Sequence, residues 1–195
     1  MVKLNSLAES TISLNLSGRC IMLYNLYGGD KAEKKELTFP ENYGEISQYH
    51  WFCDYMMVGF SNGRVAVVDV HSGKEMWGWD YFLKVRFICA SPRLNRVAVV
   101  GSDLRQKKKK SSKNNRKQTH KKTKKRVQKV DVLRIFEESQ IDGKTEWQHI
   151  LDKDIRFDQE LAGHVANVAW TSDGHILTVS VNNGRVYNFV DNVSE

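Results

Sequence analysis

Short stretches in which apolar and polar residues alternate recur along the chain, and turn signals separate them. The stretch ISQYHWFCDYMMVGFSNGRVAVVDV, from Ile46, and the stretch VANVAWTSDGHILTVSVNNGRVYNFV, from Val165, follow one plan. Each begins with an alternating segment that ends in a tryptophan, Trp51 or Trp170. Each then passes through a turn and a second apolar segment to the tetrapeptide Asn-Gly-Arg-Val, at 62–65 and again at 183–186. A variant, SGRC at 17–20, joins TISLNL to IMLYNL. Alternation marks strands with one buried face, and Asn-Gly or Ser-Gly between them supplies the positive φ of a tight hairpin. Gly63 and Gly184 hold that position in the two full copies.

A further copy lies between these two. VRFICASPRLNRVAVVGSD, residues 85–103, reads as strand, turn, strand, and KVDVLRIF, 129–136, as the next strand. Its β-branched alternation favours a strand over a helix. Between them, where the other copies carry Asn-Gly-Arg, stands a lysine-rich segment, so 104–128 is read as a low-complexity insertion at a hairpin tip. Insertion there costs little, because loop-closure entropy grows only logarithmically with length. Without it the copies recur every 40–50 residues or so, and about four strands per unit of that length indicates a blade of a β-propeller. The expectation is an all-β chain, 1–195 forming one incomplete propeller domain of about three four-stranded blades plus a hairpin of a fourth. Each uncovered blade face of roughly 500 Å² would cost about 12 kcal/mol at 25 cal/mol/Å². More chain or a partner is therefore expected to complete the ring.

Charge alters this picture in one place. Residues 105–126 hold thirteen Lys and Arg and no acid, whereas the whole chain has 30 basic and 23 acidic residues. The rest thus carries 17 basic residues against 23 acidic, a mildly acidic body. A folded nucleic-acid-binding surface spreads its positive charge over the face that docks on phosphates. Here it is confined to a segment without apolar residues, which reads as a solvated insertion. Lys107, Lys108, Lys109, Lys110, Lys121, Lys122, Lys124, Lys125 and Arg126 are the candidate anion contacts. They predict only weak, non-specific binding of nucleic acid through 105–126. Cys20, Cys53 and Cys89 form no CxxC pair and sit in apolar runs, which predicts buried thiols in a reducing compartment. The amino-terminal segment lacks a signal-peptide core and no apolar run reaches bilayer-spanning length, so no membrane insertion is expected.

Catalytic and metal chemistry find no purchase. The histidines at 50, 71, 120, 149, 164 and 175 are scattered, and no P-loop, GxSxG or GxGxxG occurs. No metal, cofactor, small-molecule substrate or enzymatic activity is expected. YGGDK, 27–31, is read as a turn, and the acid-rich stretch 137–160 as a solvated loop. EMWGWDYF, 75–82, places Trp77, Trp79 and Tyr81 two apart, on one side of an extended segment. They either pack between blades or form a protein-binding patch.

The last copy is similar to a WD repeat, with Gly163-His164, Val168, Trp170, the Ser172-Asp173-Gly174 turn, Gly184 and Val186. Asn183 stands where the repeat usually has Asp and Phe189 near the usual Trp-Asp, departures that put the Asp–His network of ideal repeats in question. Trp51, Gly63, Gly163, His164, Trp170 and Gly184 are the repeat-defining residues. The stretch 36–76 resembles the first propeller of the 144-kilodalton WD-repeat subunit of intraflagellar transport complex A. Its anchors are Leu37 with Phe39, Tyr43-Gly44, Tyr49 with Trp51, Val58-Gly59-Phe60-Ser61 with Gly63, and the His71–Gly73 turn. The resemblance runs over roughly 20–190, interrupted by the lysines. It implies a fragment or short relative of a longer protein. The implied role is a scaffold in retrograde ciliary transport, partnered by other intraflagellar transport subunits in cytoplasm, cilium or flagellum, and basal body. The alternative is a nuclear or nucleolar WD-type protein whose insertion contacts RNA or serves as an import signal.

Overall fold

The computed structural model describes residues 2–4, 11–25, 34–52, 54–106, 127–142, 144–150, 155–158 and 163–190. They form four antiparallel sheets, met in chain order. The first holds β1 (Val2–Leu4), β2 (Thr11–Ser17), β3 (Cys20–Asn25) and β4 (Lys34–Thr38). The second holds β5 (Ile46–Phe52), β6 (Tyr55–Phe60), β7 (Arg64–Asp69) and β8 (Glu75–Asp80). In the third, β9 (Lys84–Ala90), β10 (Arg96–Gln106) and β11 (Val127–Ile141) run side by side. The outer edge of β11 is shared by β12 (Lys144–His149), opposite 136–141, and β13 (Ile155–Asp158), opposite 130–133. The fourth sheet has three strands, β14 (Val165–Trp170), β15 (Ile176–Val181) and β16 (Val186–Val190). Sequential up-and-down strands in successive sheets, without closure into a barrel, make a partial propeller of the kind the repeats predict.

Three apolar clusters lie between successive sheets. Leu37 and Phe39 meet Tyr49, Met56 and Phe60 between the first and second. Met57, Val65 and Val67 meet Val85, Val99 and Phe136 between the second and third. Val100, Leu133 and Phe157 meet Val168, Leu177 and Val179 between the third and fourth. Neighbouring residues thus serve opposite clusters, as Met56 and Met57 do. The inner sheets are buried on both faces, which is why YMMVGF and RVAVVD are apolar almost throughout instead of alternating.

Gln106 pairs with Val127 at the end of the β10–β11 ladder, so the chain leaves and re-enters the third sheet there. Residues 107–126 lie outside the described residues, as do YGGDK at 27–31 and Cys53. The acid-rich stretch read as a loop departs from that reading. Much of it forms the end of β11 together with β12 and β13. Trp147 accounts for the difference. Buried against Phe52 of the second sheet, with ring centroids 4.9 Å apart, it draws its strand inward while the flanking Glu146 and Gln148 face water. Cys20 and Cys89 are half-buried rather than buried: Cys20 opens β3 at the end of its ladder, and Cys89 lies on β9, the edge strand of the third sheet.

Candidate functional site

The first strands of the second, third and fourth sheets share an irregularity. Pairing skips one residue between Ile46 and Gln48, between Val85 and Phe87, and between Val165 and Asn167. The extra residues are Ser47, Arg86 and Ala166, which stand four positions before Trp51, Ala90 and Trp170 respectively. A bulge of this kind re-aims the side chain it carries. Ser47 donates to the carbonyl of Gly59 at 3.0 Å, and Ala166 has nothing to offer. Arg86 reaches across its own sheet to Asp131 on β11, Nη1 to Oδ2 2.8 Å.

Asp131 is fully buried. The same Oδ2 accepts the backbone N–H of Val165 at 2.8 Å and lies 3.7 Å from His164 Nδ1. A carboxylate of the third sheet therefore fastens the first residue of the fourth. The Gly163-His164 turn is fixed from the other side by Asn182, whose Oδ1 accepts the His164 N–H at 2.9 Å while its own N–H donates to the His164 carbonyl. Asn183 accepts the Arg185 N–H at 3.1 Å, as Asn62 accepts that of Arg64 at 3.0 Å. The departures from the ideal repeat thus leave the turn anchored, with an asparagine and a neighbouring sheet's aspartate as its partners.

Lys84, Ser102 and Asp131 are cross-strand neighbours in one row, and Lys129 lies two residues before Asp131 on the same face. Together with Arg86 and His164 they line an open recess of about 460 Å³ between the third and fourth sheets. A second recess of about 450 Å³, toward the second sheet, shares Lys84 and Arg86 and adds Glu45 and Ser61. Of this group only His164 stands out in the sequence, as a residue of the repeat. The signal for the others was an arginine where the aligned copies have Ser47 and Ala166, and an acid, Asp131, set between the valines Val130 and Val132.

The other repeat residues are structural in placement. Trp51 is buried and donates to Ser13, and Trp170 donates to the Cys89 carbonyl at 2.9 Å. Trp79 stacks on Phe136 of the third sheet at 4.9 Å and on Tyr81 at 6.4 Å, while Trp77 meets Tyr55 edge-on at 6.2 Å. Trp77 and Trp79 are half-buried and Tyr81 is 42% exposed, with the Arg134 guanidinium 4.8 Å from its ring. The lysines at 107–110, 121, 122, 124 and 125 and Arg126 lie outside the described residues. Among the described residues no three His, Cys, Asp or Glu converge to hold a metal. No helix among them is long and apolar enough to cross a membrane.

Residues 2–141 match the family described as the WDR19 first beta-propeller. The chain is 26% identical over 192 residues to WD repeat-containing protein 19 of Homo sapiens, covering 95% of this chain and 11% of that protein. It is 28% identical over 98 residues to WD repeat-containing protein dyf-2 of Caenorhabditis elegans, covering 48% and 7% respectively. Among solved structures it resembles the Cps50 (Swd1) β-propeller domain of Myceliophteria thermophila, with TM-score 0.63, 11% identity, and coverage of 97% of this chain and 56% of that one. The WD40 propeller of Doa1 gives 0.59 at 16% identity, covering 100% and 51%. These likenesses show the fold, an all-β propeller-like arrangement of antiparallel sheets.

Proposed function

The chain belongs to the WDR19 first-beta-propeller family, and on that premise we propose that it is a non-enzymatic scaffold of intraflagellar transport complex A. Its role is in retrograde ciliary transport and cilium assembly, through contacts with other subunits of that complex in cytoplasm, cilium and basal body. The family match over 2–141 carries this reading. The packing of successive sheets supports it: a two-sided core and inter-sheet hydrogen bonds hold edges and turns in fixed positions, which is what a docking platform requires. The chain spans 11% of the human relative, so the activity of the whole is read through this one part.

A tagged form of the complete gene product should concentrate at the base and along the shaft of cilia and co-purify with complex A subunits. Replacing Trp77 and Trp79 together by Ala should weaken that association by about 2 kcal/mol or more if they are an exposed hot spot. Melting must be followed alongside, because Trp79 also packs on Phe136. Deleting 105–126 should leave localisation unchanged and remove a weak, salt-sensitive affinity for nucleic acid. Nuclear or nucleolar accumulation that depends on those lysines would overturn the transport reading in favour of a nuclear WD-type protein.

A further inference from the structure

We infer that the recess between the third and fourth sheets is an oxyanion subsite that takes the carboxylate of an acidic segment on a partner protein. Three observations carry it. The first is charge. The recess gathers Lys84, Arg86, Lys129 and His164 around one acid, Asp131, although the body of the chain is acidic. Arg86 and the Val165 N–H already engage Asp131. Among the described residues no acid pairs with Lys84 or Lys129, which are both exposed.

The second is an unpaired donor. Ser102 lies in the same row, between Lys84 and Asp131, is 1% exposed, and its hydroxyl has no hydrogen-bond partner. A buried hydroxyl left unpaired is costly, so a ligand oxygen that accepts from it supplies a bond that no described protein atom provides. The third is the bulge at Arg86. The aligned bulges carry Ser47 and Ala166; only here does the irregularity aim a cation at the inter-sheet opening. Two lysines and a hydroxyl flanking a fixed Arg–Asp pair suit a monoanion. A dianionic phosphate would meet more repulsion from the buried Asp131, and the recess offers no aromatic ring on which a nucleobase could stack.

The proposal goes beyond the transport reading and stands or falls apart from it. The β10–β11 ladder carries the lysine-rich insertion from the same end of the sheet, so the test starts from a chain without 107–126 to isolate the recess. Fluorescein-labelled hexaglutamate is titrated into the 195-residue chain and into this deletion variant, with anisotropy as the readout. Both should bind. In the deletion background, K84Q/K129Q should weaken binding at least tenfold and Ser102→Ala about threefold, with melting temperatures unchanged. Hexaglutamate should also displace more probe than the same concentration of inorganic phosphate. Loss of binding on deletion of 107–126 alone, a K84Q/K129Q variant within twofold of its parent, or stronger competition by phosphate would each overturn the assignment.

Discussion

Trp51 donates its indole N–H to the hydroxyl of Ser13 at 3.0 Å, across the boundary between the second sheet and the first. Ser13 is fully buried, and its hydroxyl and carbonyl also engage the Tyr49 hydroxyl at 3.3 and 3.1 Å. At the other end of the chain Trp170 sends its N–H to the Cys89 carbonyl of the sheet before it. The two repeat tryptophans thus link the second sheet to the first and the fourth to the third with a directional bond on top of apolar contact.

Trp51→Phe keeps most of the ring and removes the bond, so it should lower stability by about 1–2 kcal/mol. Ser13→Ala leaves the buried indole N–H without its acceptor and should cost roughly 1–3 kcal/mol. Urea unfolding of both variants tests this. Equal stability of Ser13→Ala and the parent chain would mean the bond contributes nothing.

Asp131→Ala strips the acceptor from the Val165 N–H and leaves Arg86 without its partner. Breaking a buried pair on one side costs about 3–5 kcal/mol. Asp131→Asn keeps an acceptor oxygen and should cost less. Hydrogen exchange should show the loss concentrated at the start of β14, where the carboxylate is attached; uniform loss across the four sheets would contradict the latch.

The two Asn-Gly-Arg-Val turns should respond unequally to the same change. Gly63 has φ +93°, and a Cβ there would stand 1.6 Å from the Phe82 carbonyl oxygen. Gly184 has φ +85° with nothing within 4 Å. Gly184→Ala should cost about 1–2 kcal/mol of backbone strain alone. Gly63→Ala adds a collision with main chain and should cost roughly 3–4 kcal/mol. Matching melting temperatures for the two variants would refute the distinction.

Cys20 should alkylate slowly. Burial first, then the hydrogen bond and charge of Glu36, push its thiol up to about 11. At pH 8 that leaves on the order of a hundredfold less thiolate than an ordinary cysteine, partly offset by a more nucleophilic anion, for a net slowing of about tenfold with iodoacetamide. Because a raised value means less thiolate at any pH below it, Glu36→Gln should speed the reaction. Peptide mass spectrometry resolves Cys20 from the other cysteines, and a rate equal to that of a small-molecule thiol would refute the shift.

The strands, the turns and the repeat were legible in the residues alone, because alternation and Asn-Gly signals act within a few positions of the chain. Other decisions needed residues far apart in sequence. Trp147 became a buried residue, and its surroundings strands, only because Phe52 of another sheet stands opposite it. Asp131 reads as a polar blemish in a strand until Arg86, 45 positions earlier, and Val165, 34 positions later, close on it. The same tetrapeptide is crowded at Gly63 and open at Gly184, since the third sheet follows the first copy closely and no described atom approaches the second. Local periodicity sets which segments extend and where they turn, whereas the partners of a buried charge or a crowded turn are set by the stacking of whole sheets.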